Sequence, residues 1–298
     1  MKHSRFLRTG VIVAAIVTAS LALAQEESEL TVQKLSETVY VLFGAGGNIG
    51  VSAGPEGVFI IDDKYEGDGE MISAAVAKIS DLPISYLLNT HWHFDHAGSN
   101  DFFGHAGSVI IAHDNVRKML ASGAYLSVVD VEIPPAQAEA LPVITFDDSL
   151  SLHLNGDEVH MLHMTPGHTD GDSIIWFKDS NIIHMGDTFL VNMYPLIDVD
   201  SGGDINGMIT TADTVLSFVD EETQLIPGHG PVGDKAKLKE YRDLCVTLRD
   251  RVWEMKKNGM SLEEVIAAKP TEDFDKDWGG AGDNWTRISL GSIYADAP

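Results

Sequence analysis

The chain has 298 residues and a formal net charge of −25, because 45 Asp and Glu side chains outnumber 20 Lys and Arg. So acidic a chain repels phosphate backbones and anionic headgroups, which argues against nucleic acid as a substrate and against an anionic membrane as a partner. The single cysteine, Cys245, excludes an intramolecular disulfide.

Residues 1–24 have the features of a secretory signal peptide. Three basic residues precede an uncharged run of 14 residues, VIVAAIVTASLALA, which is too short to cross a bilayer core of roughly 30 Å as a helix. The run ends in Ala-Leu-Ala, the small-residue pattern of a signal peptidase site, and no cysteine follows it as in a lipoprotein. An uncleaved anchor is the competing interpretation. We expect a periplasmic or secreted mature chain, residues 25–298, with a net charge of −28 from 17 basic and 45 acidic side chains.

The first half of the mature chain predicts a β-meander followed by alternating strands and helices. Short apolar segments are separated by Gly-rich turns, and two segments of helical periodicity lie between later strands. The predicted strands are 38–44, 48–54, 57–63, 84–90 and 108–113, and the predicted helices are 66–80 and 114–123.

The second half follows a similar plan with a different sequence. Asn155-Gly156 predicts a tight hairpin turn, and Ser261 with Glu264 predicts a capping box for a last short helix before Pro270. Cys245 lies at helical spacing with apolar residues, so we interpret it as a core residue. Strand-rich halves each followed by helices suggest two sheets packed face to face with helices outside. The predicted strands are 149–154, 157–164, 173–177, 181–187 and 223–226, and the predicted longer helices are 204–219 and 234–259.

The segment NTHWHFDHAGSN, residues 89–100, concentrates four metal-ligand side chains directly after an apolar strand. In an extended chain His91 and His93 point the same way and can bind one ion, whereas Asp95 and His96 need a turn to do so. Four ligands from six residues would crowd a single tetrahedral ion. The segment therefore favours two neighbouring ions.

Three distant residues are candidates to complete two sites. His168, Asp187 and His229 each lie in a Gly-containing loop after a predicted strand. Imidazole suits zinc, and a carboxylate can bridge two ions. The other histidines of the mature chain lack this setting and are interpreted as structural: His105, His113, His153, His160, His163 and His184.

The motifs HWHFDH, GHTDGD, GDT and PGHG occur in this order, and together they resemble those of the metallo-β-lactamase superfamily. The resemblance covers nearly all of residues 25–298 and implies an α/β fold, a four-layer αββα sandwich, with the site at one edge of the two sheets. It also implies two zinc ions per chain: His91, His93 and His168 on the first, Asp95, His96 and His229 on the second, and Asp187 bridging both.

Two positions depart from the commonest zinc β-lactamases. Asp187 stands where those enzymes have a cysteine, and His96 stands where they usually lack a histidine. The resulting ligand set is the one found in hydroxyacylglutathione hydrolases and lactonases. The strand pattern, leader and C-terminal segment are nevertheless more similar to the cysteine-type enzymes and to their exported relatives.

The resemblance implies an exported metallo-hydrolase of a small-molecule substrate. A metal-bridging hydroxide, oriented by Asp95, would attack the carbonyl of a small cyclic amide, ester or lactone. We expect β-lactam hydrolysis at least as a promiscuous activity, and a slow one because Asp187 is a harder ligand than a thiolate. One alternative is a thioesterase of the hydroxyacylglutathione-hydrolase type, although export and the lack of a cationic C-terminal glutathione site count against it. The other is a non-catalytic periplasmic metal-binding or cofactor-relay protein, against which the open-sided ligand set argues.

Several aromatic residues and one loop complete the sequence-based expectations. Trp92 and Phe94 alternate with the ligands and are predicted to pack beneath the loop. Trp278 and Trp285 are predicted to anchor the acidic C-terminal segment. The Gly-rich loop 43–50 is compatible with a mobile flap and with a tight turn.

Overall fold

Two β-sheets pack face to face and carry helices on their outer faces. A computed structural model describes residues 30–127 and 129–298, so the predicted signal peptide lies outside the described residues. The larger sheet has seven strands in the order β1-β2-β3-β4-β5-β6-β9. These strands are Thr31–Lys34 (β1), Val39–Phe43 (β2), Ile49–Gly54 (β3), Gly57–Ile61 (β4), Ile84–Leu88 (β5), Val109–His113 (β6) and Ile144–Phe146 (β9).

The second sheet has five strands in the order β10-β11-β12-β13-β14, and a separate two-stranded ribbon, β7-β8, lies between β6 and β9 in sequence. Asn155 and Gly156 both have positive φ in the turn between β10 and β11, as the predicted hairpin requires. The strands are Ala124–Leu126 (β7), Val131–Ile133 (β8), Ser149–Leu154 (β10), Asp157–His163 (β11), Ser173–Phe177 (β12), Ile182–His184 (β13) and Gln224–Ile226 (β14).

Eight α-helices connect and cover the strands in the described part of the chain. Their bounds are Gly69–Ala77 (α1), Asn100–His105 (α2), Asp114–Ser122 (α3), Ile205–Leu216 (α4), Lys235–Lys257 (α5), Leu262–Ala267 (α6), Asp275–Trp278 (α7) and Gly282–Asp296 (α8). The predicted capping box of Ser261 and Glu264 begins α6. No helix among these residues combines the length and the apolar character needed to span a bilayer.

Three apolar clusters define the four layers. Between the sheets, Phe59 of β4 stacks on Phe177 of β12 with ring centroids 5.8 Å apart. On the outer face of the larger sheet, Ile72 and Val76 of α1 pack against its strands. On the outer face of the smaller sheet, α4 and α5 bury a larger cluster that includes Cys245. The predicted αββα sandwich is confirmed.

Strand direction brings several loops together at one edge of the sandwich. The pairs β4-β5, β5-β6 and β13-β14 are parallel, so within each sheet the carboxyl ends of these strands lie at the same edge. The two edges coincide, because His91 after β5 and Asp187 after β13 lie in one group of side chains. Asp62, His91, Asp187 and His229 follow β4, β5, β13 and β14, respectively, by no more than three residues. The site is therefore built from loops on a rigid double sheet.

Several elements differ from the sequence-based expectations. The strands β1, β7, β8 and β9 and the helix α2 were not predicted. The helix that begins after Ser261 is not the last one, because α7 and α8 follow it. Trp278 is buried beside Tyr241, and Trp285 Nε1 donates to the carbonyl of Tyr194 at 2.9 Å, so both tryptophans anchor the C-terminal segment as predicted.

Candidate metal centre

The turn after β5 presents His91, His93 and His96 from one short segment. The backbone N–H of His96 donates to the carbonyl of His93 at 3.0 Å, which closes the turn that the sequence requires. Gly98 permits this turn, because a Cβ at Gly98 would lie 2.3 Å from the carbonyl oxygen of Phe94. All three imidazoles are buried.

His91, His93 and His168 form the first trio of candidate ligands. Their ligand atoms lie within 4.8 Å of one another. His93 Nδ1 and His168 Nε2 are 2.8 Å apart, and the ring of His91 stands edge-on to both of the other rings. His91 Nε2 is buried without a hydrogen-bond partner. A buried nitrogen lone pair that faces two others suits a cation.

Asp95, His96 and His229 form the second trio, whose ligand atoms also lie within 4.8 Å. His229 Nε2 is 3.1 Å from Asp95 Oδ2 and 3.2 Å from His96 Nε2. The side chains of Asp95 and His229 are each 17% exposed, whereas His96 is fully buried. The second trio therefore lies on the solvent side of the centre.

Asp187 lies between the two trios. Its Oδ1 is 3.1 Å from His96 Nε2 in the second trio, and its Oδ2 is 3.7 Å from His168 Nε2 in the first. The glycine that precedes His229 permits this position, since a Cβ at Gly228 would lie 1.9 Å from Asp187 Oδ1. The carboxylate thus directs one oxygen toward each trio, as a bridging ligand does.

Each buried histidine of the centre has an acceptor for its outer N–H group. His96 Nδ1 faces Asp62 Oδ2 at 2.7 Å, and His93 Nε2 faces Asp198 Oδ2 at 3.0 Å. His168 Nδ1 faces the carbonyl of Leu196 at 2.8 Å. These contacts fix the tautomers so that the inner nitrogens carry lone pairs.

The fourth buried histidine is held indirectly through Thr90. The Thr90 hydroxyl donates to Asp62 Oδ2 at 2.7 Å, so it accepts from His91 Nδ1 at 3.0 Å. Asp62 Oδ1 also accepts the backbone N–H of Thr90 at 2.8 Å. One buried carboxylate therefore orients a ligand in each trio.

The electrostatics of the centre favour a bound dication. Burial, followed by the neighbouring histidines, holds the pKa of His91 well below 6.5, and burial likewise lowers the pKa of His93. Although burial alone would raise it, contacts with His96 and His229 lower the pKa of Asp95 to about 2. Burial lowers the pKa of His96, but nearby carboxylates, of which Asp187 contributes most, raise it well above 6.5. In the absence of a metal ion, a second proton on His96 offsets the carboxylate charge that the ion would neutralise.

An aromatic pair flanks the solvent side of the centre. Phe94 is 36% exposed and lies 5.9 Å, between ring centroids, from Tyr65. Trp92 is buried beneath the loop as predicted, but the same prediction is wrong for Phe94. Together Tyr65 and Phe94 give the mouth of the site an apolar wall.

The loop 43–50 is a tethered turn. Buried Lys64 donates from Nζ to the carbonyls of Ala45 and Gly47 at 3.0 and 2.6 Å. The N–H of Gly47 donates to the carbonyl of Asp95, and the N–H of Asn48 donates to that of Gly228. The loop is thus bonded to two of the segments that carry candidate ligands. These bonds favour the tight turn of the two interpretations that the sequence leaves open.

The remaining histidines in the described part of the chain belong to neither trio. His184 is buried in β13 with Nε2 3.1 Å from the carbonyl of Asn48, and His113 stacks on His163 with ring centroids 3.7 Å apart. His105 contacts the carbonyl of Asp101 at the surface. Cys245 is buried, and burial raises the pKa of its thiol to about 12, as expected of a core residue.

Sequence reasoning missed the residues that orient the ligands. Asp62 follows an apolar strand, as the ligand loops do, and this position is the one signal that could have identified it. Asp198 lies in a segment without a recognisable pattern, and Lys64 is surrounded by acidic residues that suggest solvent exposure. Their roles depend on contacts between distant segments.

Comparison with known proteins identifies the family. The family model described as the metallo-β-lactamase superfamily matches residues 38–250, which is well over half of the chain and includes all seven candidate ligands. The chain belongs to the metallo-β-lactamase superfamily. The seven candidate ligands that the superfamily resemblance implies all meet at one edge of the sandwich.

Individual relatives have low sequence identity to the chain, but the aligned regions cover more than half of each protein. The chain is 27% identical over 175 residues to a probable metallo-hydrolase, YqgX, of Bacillus subtilis, covering 56% of this chain and 78% of that protein. It is 19% identical over 252 residues to the metallo-β-lactamase type 2 of Bacteroides fragilis, covering 80% and 96% of the two chains. The metallo-β-lactamase structure from Pontibacter korlensis superposes with a TM-score of 0.60 at 17% identity, covering 73% and 99%. This superfamily member is a metal-dependent hydrolase with candidate His/Asp metal sites.

Proposed function

We propose that the chain is an exported dinuclear zinc hydrolase of small cyclic amides, esters or lactones, with β-lactams among its slower substrates. The observation that carries this proposal is the position of Asp187. Its two carboxylate oxygens lie 3.1 Å from His96 Nε2 and 3.7 Å from His168 Nε2, in different trios. A carboxylate shared in this way supports two adjacent ions instead of one.

The donor set fits zinc. Each trio contributes imidazole nitrogens, the second adds a carboxylate, and the thiolates that would select softer metals are lacking among these ligands. The orphaned His91 Nε2 is the kind of buried polar atom that a metal would satisfy. Two zinc ions bound there would lower the pKa of water to about 7, so that hydroxide is available at neutral pH.

Asp95 is the residue we assign to orienting the attacking water. It is ionised, since contacts with His96 and His229 lower its pKa to about 2 against the effect of burial. Its side chain is 17% exposed, so it can accept a hydrogen bond from a water that enters on the open side. The tethered turn with Gly47 holds the Asp95 backbone in place.

The mouth of the site suits an uncharged or monoanionic substrate with an apolar part. Tyr65 and Phe94 offer ring faces beside the open trio. The chain charge of −25 disfavours polyanions such as nucleic acids. Because Asp187 replaces the thiolate of the commonest zinc β-lactamases, we expect the second ion to be less cationic and a departing amide nitrogen to be stabilised less well than an alkoxide.

Export is part of the proposal and has its own test. Residues 1–24 supply a basic start, an apolar run and a small-residue cleavage site before Gln25. Expression of the full chain should give a periplasmic or secreted protein with Gln25 at its N-terminus by mass spectrometry. A cytoplasmic product that retains residue 1 would remove this part of the proposal and leave the hydrolase part standing.

The hydrolase proposal is tested by turnover of nitrocefin, a chromogenic lactone, an ester and a thioester by the zinc-loaded protein, with and without a chelator. We expect chelator-sensitive turnover, fastest for the lactone or ester, that Asp187→Ala and His229→Ala abolish. His105→Ala is the matched control, because His105 is exposed and outside the candidate sites. A preference for the thioester would support the thioesterase alternative. Tight zinc binding without turnover of any substrate would support the accessory metal-binding protein.

A further inference from the structure

A cavity lies between the C-terminal helices and residues 197–199. It is open to solvent on one side and has a volume of about 380 Å³, within the range of small-molecule sites. Ile197, Leu262 and Ile288 give it apolar walls, and Arg287 and Asn284 supply polar groups at its side. Besides its apolar walls, the cavity has one cationic side chain, Arg287, and one carboxylate, Asp198, which is already engaged by His93 Nε2.

Arg287 differs from the other arginines in the structurally described part of the chain. Arg242, Arg249 and Arg251 each form an ion pair with an aspartate, and Arg117 donates to a backbone carbonyl. Arg287 has neither an ion pair nor a hydrogen bond among the described residues, although acidic side chains outnumber basic ones by more than two to one in the whole sequence. A guanidinium without a partner at a cavity is free to bind an anion.

Gly291 keeps the cavity open. It lies inside helix α8, where glycine is unfavourable compared with alanine, and its φ is not positive. A Cβ at Gly291 would meet only Leu262 Cδ2, at an ordinary 3.8 Å. Neither crowding nor backbone conformation therefore requires glycine here, whereas a longer side chain would occupy the cavity that Gly291 lines.

The cavity shares a wall with the metal centre. Asp198 lines the cavity and accepts from His93 Nε2, and the carbonyl of Leu196, two residues earlier, accepts from His168 Nδ1. The N–H of Ile197 donates to Ser292 Oγ on α8 at 3.2 Å. A molecule in the cavity would contact the segment that orients two ligands of the first trio.

We propose that this cavity is an accessory binding site for a small molecule that carries one carboxylate on an apolar body, with the carboxylate bound by Arg287. The apolar walls match the body, and a planar guanidinium matches a carboxylate. A polyanion is disfavoured because one arginine stands alone in an acid-rich chain. The site does not depend on the proposed hydrolase function.

The test is binding of 4-phenylbutyrate to the zinc-loaded protein by isothermal titration calorimetry, with neutral 4-phenylbutanamide as the matched probe. We expect saturable binding of the acid and binding of the amide weaker by about tenfold or more. Arg287→Gln should lower the affinity for the acid to that for the amide, and Arg287→Lys should retain part of the difference in affinity between the two probes. Gly291→Met should abolish binding of both probes by filling the cavity. Arg249→Gln is the control, since Arg249 is already paired with Asp250.

Three results would overturn the proposal. The first is no binding of either probe to the wild-type protein. The second is acid binding that Arg287→Gln and Gly291→Met leave unchanged. The third is acid binding that is lost on chelation of zinc, which would place the carboxylate on the metal centre. If Gly291→Met fails to fold, Arg287→Gln decides the question alone, because its side chain is exposed.

Discussion

Asp62 is the residue whose replacement we expect to disturb the metal centre most without removing a candidate ligand. Its buried carboxylate accepts from His96 Nδ1 at 2.7 Å, from the Thr90 hydroxyl at 2.7 Å and from the Thr90 backbone N–H at 2.8 Å. Asp62→Ala would leave these three donors without their acceptor in a site that water does not reach. It would also release His91, which is held through Thr90.

The size of the effect follows from these contacts. An unpaired buried donor costs ~1–3 kcal/mol, and losing one partner of a buried charged pair costs ~3–5 kcal/mol. We therefore expect Asp62→Ala to lower the free energy of unfolding of the metal-free protein by about 3–5 kcal/mol. Loss of an outer hydrogen bond to a metal ligand typically weakens metal binding by about 10–100-fold, which we expect for zinc here. Asp62→Asn should have a smaller effect on stability, because asparagine tolerates the φ of +63° at this position.

The assay is urea unfolding of the metal-free protein together with zinc titration against a competing chelator. Asp63→Asn is the matched control, because Asp63 is an adjacent buried carboxylate that accepts only the Ser99 N–H and leaves Oδ2 unpaired. Burial raises the pKa of Asp63 well above 3.8, so replacing it by a neutral amide should not destabilise the protein near pH 7. Stability of Asp62→Ala within about 0.5 kcal/mol of the wild type, with unchanged zinc affinity, would refute this reasoning.

Three further predictions follow from buried groups outside the ligand set. Lys64→Met should leave the carbonyls of Ala45 and Gly47 unpaired and speed amide exchange of the loop on the order of tenfold; unchanged protection by NMR would contradict the tether. Cys245 should resist Ellman's reagent at pH 8 until the protein is unfolded, because burial raises its pKa to about 12; rapid labelling of the native protein would contradict its burial. Burial, and then the stacked His163, lower the pKa of His113 below 6.5, although Asp147 and Asp114 oppose the shift. The neutral form of His113 therefore contributes stability that is present above pH 6.5 and is lost as the pH falls through the lowered pKa. His113→Asn, which retains an acceptor for the Asn115 N–H at the start of α3, should therefore flatten the loss of stability in acid, measured by urea unfolding at several pH values; an unchanged slope would contradict the assignment.

The sequence predicted the layers and the meeting of the ligand loops because both depend on local patterns. Apolar strands that end in Gly-containing loops mark the carboxyl edge of a sheet, and His168, Asp187 and His229 all occupy such loops. The spacing of His91 and His93 likewise follows from strand periodicity. Long amphipathic helices such as α5 are also visible locally.

The elements that the sequence did not predict lack these patterns. All four residues of β1 are exposed, so no alternation marks the strand, and β9 has only three residues. Gly279, Gly280 and Gly282 at and before the start of α8 disfavour a helix locally. The helix forms nevertheless, because it packs on α5 and α6. Tertiary contacts outweigh local preference in these segments.

The same limit applies to the residues around the ligands. Asp198 contacts His93 across 105 positions of sequence, and Lys64 is buried with its Nζ bonded to Ala45 and Gly47 of the loop 43–50. The alternation of Phe94 with the ligands predicts a position beneath the loop, but its true position depends on a turn whose direction the sequence does not specify. Local sequence motifs therefore identify the candidate ligands, whereas the residues that orient them are apparent only from the folded structure.

The zinc stoichiometry of the purified protein tests the dinuclear assignment most directly. We predict that equilibrium dialysis followed by inductively coupled plasma mass spectrometry gives two zinc ions per chain for the wild type and for His105→Ala. Asp187→Ala should retain at most one, because Asp187 is the side chain that faces both trios. A single zinc ion in the wild type, or two ions of unchanged affinity in Asp187→Ala, would contradict the account.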